Sequence, residues 1–160
     1  MSLKNEIQKE FERLANQGVS STNPGSLAID TTHGRLEAEL LALDSIGCSF
    51  LQLTFKTSQL LSADSNSLQR LSAALAARMS YLLEPIRPME IDKDECIVQL
   101  RSHPPQKDDD GTSYYELIAK KGELSLCRFN KPRGNPRNII PAHVTREVFL
   151  RLANDFVGSV

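Results

Sequence analysis

With 160 residues, 40% of them apolar and 24% charged, the chain has the size and composition of one globular domain, which excludes a disordered segment or a peptide needing metal or disulfides to fold. A formal net charge of -1 and an isoelectric point near 6.3 exclude a global electrostatic pull toward nucleic acid or anionic membrane, so any such attraction is local. No apolar run is long enough to span a bilayer, and Met1 to Glu6 lacks the basic-then-apolar pattern of a signal peptide.

Ile7, Phe11 and Leu14 recur at i, i+4 and i+7 ahead of Gly18, which predicts an amphipathic helix over about residues 3–17. Residues 18–26, with Pro24 and Gly25 among small polar side chains, read as a flexible loop. Leu27 to Asp30 predicts a brief strand, and Leu36 to Leu43 a firmer one in which Glu37 and Glu39 alternate with apolar residues. The alternation fails at Leu40-Leu41-Ala42-Leu43, which predicts burial on both faces there. Asp44 to Gly47 supplies a turn, and Leu51, Leu53 and Phe55 then alternate with Gln52, Thr54 and Lys56 to complete a three-strand meander.

Asp64-Ser65-Asn66-Ser67 offers caps for the clearest helix, whose stripe is Leu68, Leu71, Leu75, Met79 and Leu82, ended by Glu84-Pro85. That stripe suits packing across the domain's own sheet better than a dimer seam, because amphipathic helices are usually core elements. Met89 to Ile91 and Cys96 to Arg101 are strands, and Gln106 to Gly111 is a polar, acidic loop. Tyr114 to Ala119 and Leu124 to Phe129 form a hairpin about Gly122, which can take the positive φ of a tight turn. A long connection over Asn130–Val144 leads to the last helix, with Thr145 as cap, Val148, Phe149, Leu152 and Phe156 on the buried side, and a Glu147–Arg151 pair. Cys48, Cys96 and Cys127 each fall in a predicted strand without a C-x-x-C pair, which reads as three reduced, buried, structural thiols of a cytoplasmic protein.

Runs of strands set between helices predict a single α+β domain over residues 1–160. It has a mostly antiparallel sheet of five to seven strands, with an N-terminal, a long central and a C-terminal helix packed on it. This element order resembles that of the secretion-chaperone-like α/β domains, small dimeric proteins that hold a segment of a client protein. The resemblance lies in the order of elements and spans most of the chain. It implies a non-enzymatic, chaperone-like module acting as a homodimer on a protein client.

The chain carries no P-loop, dinucleotide fingerprint, zinc-protease helix or nucleophile elbow, and no cofactor is indicated. His33, His103 and His143 stand singly, so no metal site is read from them. Asp108-Asp109-Asp110-Gly111 fails as a calcium loop, because Gln106 and Leu117 fall where the first and last ligands belong. From Leu124 through Arg146 there is no acidic residue, while Arg128, Lys131, Arg133 and Arg137 gather before a helix start. Arginine forks suit phosphate or carboxylate, so these four form a candidate anion site for a small ligand or nucleotide. The competing reading is an exposed loop whose arginines are solvated or pair with Asp108, Asp109 and Asp110, on the same or another subunit. Ile139 and Ile140, apolar inside that loop, either dock on the core or mark an interface. Tyr114, Tyr115 and Phe129 come without an RNA-binding motif, which disfavours nucleic acid. An interaction module is therefore the first expectation, an anion-binding protein the alternative, and an enzyme whose residues meet only in the fold the second alternative.

Overall fold

The computed structural model describes residues 2–160, in which the apolar spacings become three helices and a ten-stranded antiparallel sheet. Helix α1 (Leu3–Gln17) begins where the Ser2 side chain accepts the Asn5 N–H and stops at Gly18, whose φ of 71° closes the helix. Strands β1 (Gly25–Asp30), β2 (Arg35–Leu43) and β3 (Gly47–Lys56) form the meander. The end of β2 is not buried on both faces as its sequence suggests, since Ala42 is exposed and Leu41 and Leu43 are half-buried. A register shift between Leu40 and Ala42 changes which side chains face inward, and this bulge is what erases the alternation.

Helix α2 (Ser65–Arg78) is capped by Asp64, which takes the Ser67 N–H, and its buried stripe runs on into a short 3-10 turn at Met79–Leu82. The remaining strands are β4 (Ile86–Asp92), β5 (Ile97–Ser102), β6 (Gln106–Asp108), β7 (Gly111–Lys120), β8 (Glu123–Lys131), β9 (Asn138–Ile140) and β10 (Ala142–Thr145), ahead of α3 (Arg146–Val157). The main path of the sheet is β1-β2-β3-β8-β7-β5-β4, with the β7–β8 hairpin turning at Gly122, φ 80°, near its middle.

Three short strands lie off that path, and all occupy stretches that read as loops. Within the acidic stretch β6 pairs with the start of β7. The Asn130–Val144 connection carries β9 and β10, which fill a fork in the sheet. Strands β3 and β8 pair only from Gln52 and Cys127 to Lys56 and Glu123. Past that point β9 lies along β8, with Ile140 opposite Arg128, and β10 along β3, with Ala142 opposite Phe50. Pro141 sits at the apex, where the chain reverses between the two ladders. Cys96 is likewise not a buried strand residue. It stands half-buried in the turn before β5 at a φ of 54°.

In register, Leu27, Ala38, Leu53, Leu126, Leu117 and Leu100 make one apolar row across the sheet. Above it Phe149 of α3 packs at 5.4 Å from Phe11 of α1 and 5.9 Å from Phe50 of β3. Among the described residues, every buried apolar side chain except Tyr114 joins this one cluster. The helices therefore share one face of the sheet, and among the described residues no helix covers the other.

Thr145 does double duty as the last residue of β10 and the cap of α3, accepting the Val148 N–H at 3.0 Å. Thr145→Ala is expected to cost about 1 kcal/mol in urea unfolding with an unchanged denaturant slope.

Candidate functional site

Strand β7 points Tyr115, Leu117 and Ala119 at the helices, so Tyr114, Glu116 and Ile118 lie on the uncovered face. Register sets Glu116 between Cys127 of β8 and Arg101 of β5, and Tyr114 beside Phe129. The loop ahead of β9 brings Arg137 back over this spot. Its Nη1 donates to Glu116 Oε2 at 2.6 Å and to Tyr114 Oη at 3.3 Å, and its guanidinium lies 3.9 Å over the Phe129 ring. Gln99 donates its side-chain amide to Glu116 Oε1, and Arg101 Nε stands 3.9 Å from the same oxygen without a hydrogen-bond partner. The Arg101 guanidinium lies 5.0 Å over Tyr114, whose ring is 6.0 Å from Phe129. Two arginines, each stacked on an aromatic ring, thus converge on one carboxylate that is only 3% exposed. Burial draws the Arg137 pKa down, but its bonds to Tyr114 and Glu116 outweigh that and leave it raised.

Arg128 belongs to the other face, because it follows Leu124 and Leu126 at two-residue spacing along β8. Its Nη2 donates to Gln106 Oε1 at 2.9 Å, its Nη1 lies 2.9 Å from Glu84 Oε2, and its guanidinium stacks 4.5 Å over Tyr115. The Glu84 contact is one of charge, bent too far for a hydrogen bond. These groups, with Asp108 and His143, line an open pocket of about 420 Å3. Glu84 and Asp108 set two carboxylates beside the one guanidinium, which suits an anion poorly.

The structure does not gather the four basic residues of the loop. Arg128 and Arg137 lie on opposite faces, each beside a carboxylate, while Lys131 and Arg133 are exposed. Ile139 is 41% exposed beside Phe129, and Ile140 is half-buried. Sequence reasoning overlooked Arg101, Glu116 and Glu84. The period-two pattern of β5 and β7 could have exposed the first two, since Arg101 and Glu116 break apolar alternation on one shared face. His143 meets Ser49 through Nδ1 and His33 meets Gln59, and among the described residues no three metal-ligating side chains stand together.

The two sheet edges are finished differently. On β1, Arg13 donates to the Ser26 carbonyl at 3.1 Å and clasps Glu10, whose carboxyl it holds below the usual range. This pair of side chains stands where another strand would bond. On β4, Pro88 and the register shift beside it interrupt the edge. There Arg87 lies directly opposite Arg101, and among the described residues its side chain forms no ion pair or hydrogen bond. Leu83, at a φ of 64°, is 89% exposed over an apolar groove formed by Ala76, Met79, Pro85 and Ile86.

No protein-family model, curated protein or solved structure matches the chain. Its chemistry is legible only in its own geometry. No helix among the described residues is long and apolar enough to cross a membrane.

The thiols differ in access, which gives a pH prediction. Burial pushes Cys48 up to about 12, while burial and then the Glu116 charge push Cys127 up to about 11. Both folded values lie above the ordinary thiol value, so each contributes stability that is complete below about pH 8.5 and lost as pH climbs through 11 to 12. For Cys48 stability is expected to fall by roughly 1.4 kcal/mol per pH unit between about pH 8.5 and its folded value, and by less for half-buried Cys127. In native protein at pH 8, alkylation is expected to find Cys96 well before the other two; equal labelling of all three would refute the assignment.

Proposed function

We propose that the protein is a non-enzymatic interaction module, chaperone-like in action, that works as a homodimer and holds a segment of a client protein. The observation that carries this is the one-sided covering of the sheet. The helices share one face, and on the other the Tyr114–Phe129 pair forms a floor under Arg101 and Arg137, with Ile139 exposed beside it and no helix over them. A stiff sheet with aromatic anchors and oriented arginines is built like a binding surface, since such side chains dominate interface energetics. The dimer surface is supported elsewhere, where Leu83 stands over its groove and Met89 is 54% exposed on β4.

Light scattering tests the reading. A particle of twice the chain mass is expected, reverting to monomer in a Leu83→Asp, Met89→Asp variant that keeps the native melting temperature. A particle that stays monomeric at every concentration would remove the proposal.

A further inference from the structure

We infer that the uncovered face carries a binding site for an acidic peptide segment, with Arg87, Arg101 and Arg137 as its cationic row. The inference rests on the client-holding reading and gives that client its chemistry. Cross-strand register places Arg87 directly against Arg101, a like-charge pair that is unfavourable on its own. Within the chain little relieves it: the Arg87 side chain has no partner among the described residues, and Arg101 has only a carboxylate 3.9 Å away. Arg137 lies on the far side of that same carboxylate, bound to its other oxygen. Two guanidinium groups therefore share Glu116 while Arg87, one strand further out, has no carboxylate of its own among the described residues, and an incoming carboxylate supplies the missing counter-charge.

The aromatic floor fixes how the charges are presented. Stacking on Tyr114 and Phe129 holds the planes of Arg101 and Arg137, leaving donor edges free for carboxylate forks. Beside them, half-buried Phe129 and 41% exposed Ile139 offer contact to an apolar side chain of the same segment. The surroundings favour a short acidic peptide over a long polyanion. Glu39 lies across the same face on β2, where Glu37 is paired with Arg35 and Lys56, and Glu90 and Asp92 follow along β4. Carboxylates with no ion pair among the described residues therefore stand on either side of the row. An extended nucleic acid backbone would run onto those carboxylates.

The probe is a fluorescein-labelled glutamate-rich peptide with one phenylalanine, read by anisotropy against its glutamine counterpart and a single-stranded oligonucleotide of equal charge. At low salt the glutamate peptide is expected to bind roughly tenfold tighter than either comparison, with the difference shrinking at high salt. Arg87→Glu, a change at an exposed residue whose side chain has no partner among the described residues, is expected to weaken it by roughly tenfold at a melting temperature that does not fall, since it replaces a like-charge cross-strand pair by an opposite-charge one. Arg101→Gln should act in the same direction. Equal binding of the glutamine peptide, equal binding of the oligonucleotide, or indifference to Arg87→Glu would each overturn the inference. So would Arg87→Glu turning a dimer into a monomer, which assigns the row to a second copy. A dimer that ignores glutamate peptides would defeat this site and leave the interaction module standing; a strict monomer that binds them would do the reverse.

Discussion

Phe149→Ala is expected to be among the most destabilising single changes in the chain, at about 3–5 kcal/mol. The ring is fully buried and touches two other aromatic rings, Phe11 of α1 and Phe50 of β3. Removing it empties the place where both terminal helices meet the sheet, and the side chains around it sit on three separate elements that cannot all close inward. Total stability for such domains is about 5–15 kcal/mol, so the variant would lie near the edge of folding and melt roughly 10 °C lower. Phe149→Leu, which keeps most of the volume, should recover much of the loss. Ile46→Ala, at a residue 76% exposed, should change stability by less than about 0.5 kcal/mol. Urea unfolding of the three variants checks the order. A cost below about 1 kcal/mol for Phe149→Ala would mean that α3 does not seat as described.

The sequence disclosed most where local chemistry decides the outcome. Helix α1 ends at Gly18 and α3 starts at Thr145 because a left-handed residue and a hydroxyl cap act within one turn of the chain. The β7–β8 hairpin was legible for the same reason, with Gly122 at the turn between two apolar runs. Features set by distant pairing were not. Strands β9 and β10 are three and four residues long, and they exist because β3 and β8 part beyond Gln52 and Cys127 and leave ladders to be filled. Nothing in Asn138-Ile139-Ile140 announces that fork. The bulge after Leu40 similarly looks like a change of burial until the partner strand is in view.

The candidate site was misread through proximity in sequence. Arg128, Arg133 and Arg137 are close along the chain, but strand alternation sends Arg128 to the helix side while the loop folds Arg137 over the opposite face. Arg101, far earlier in the chain, is the residue that shares a carboxylate with Arg137. Net charge near zero also concealed the local imbalance, since acidic and basic rows lie side by side on one sheet face. A charge count along the chain averages over what the register separates.

Arg137→Met is the second large effect expected, and its comparison with Glu116→Gln tests what holds the uncovered face together. Glu116 is 3% exposed, whereas the Arg137 side chain is 38% exposed. Losing the arginine strands a carboxylate that water cannot reach, with only Gln99 and the more distant Arg101 left beside it. Fully uncompensated burial of a charge costs about 3–5 kcal/mol, and the two remaining neighbours bring the expected loss to about 2–3 kcal/mol. Losing the carboxylate instead leaves an arginine that water can solvate, so Glu116→Gln should cost nearer 1 kcal/mol. The double variant Arg137→Met, Glu116→Leu removes both charges and is expected to be more stable than Arg137→Met alone, giving a coupling above about 1 kcal/mol in a double-mutant cycle. If Glu116→Gln proved the costlier single change, the stacking of Arg137 on Phe129, and not its service to a buried carboxylate, would be what orders this surface.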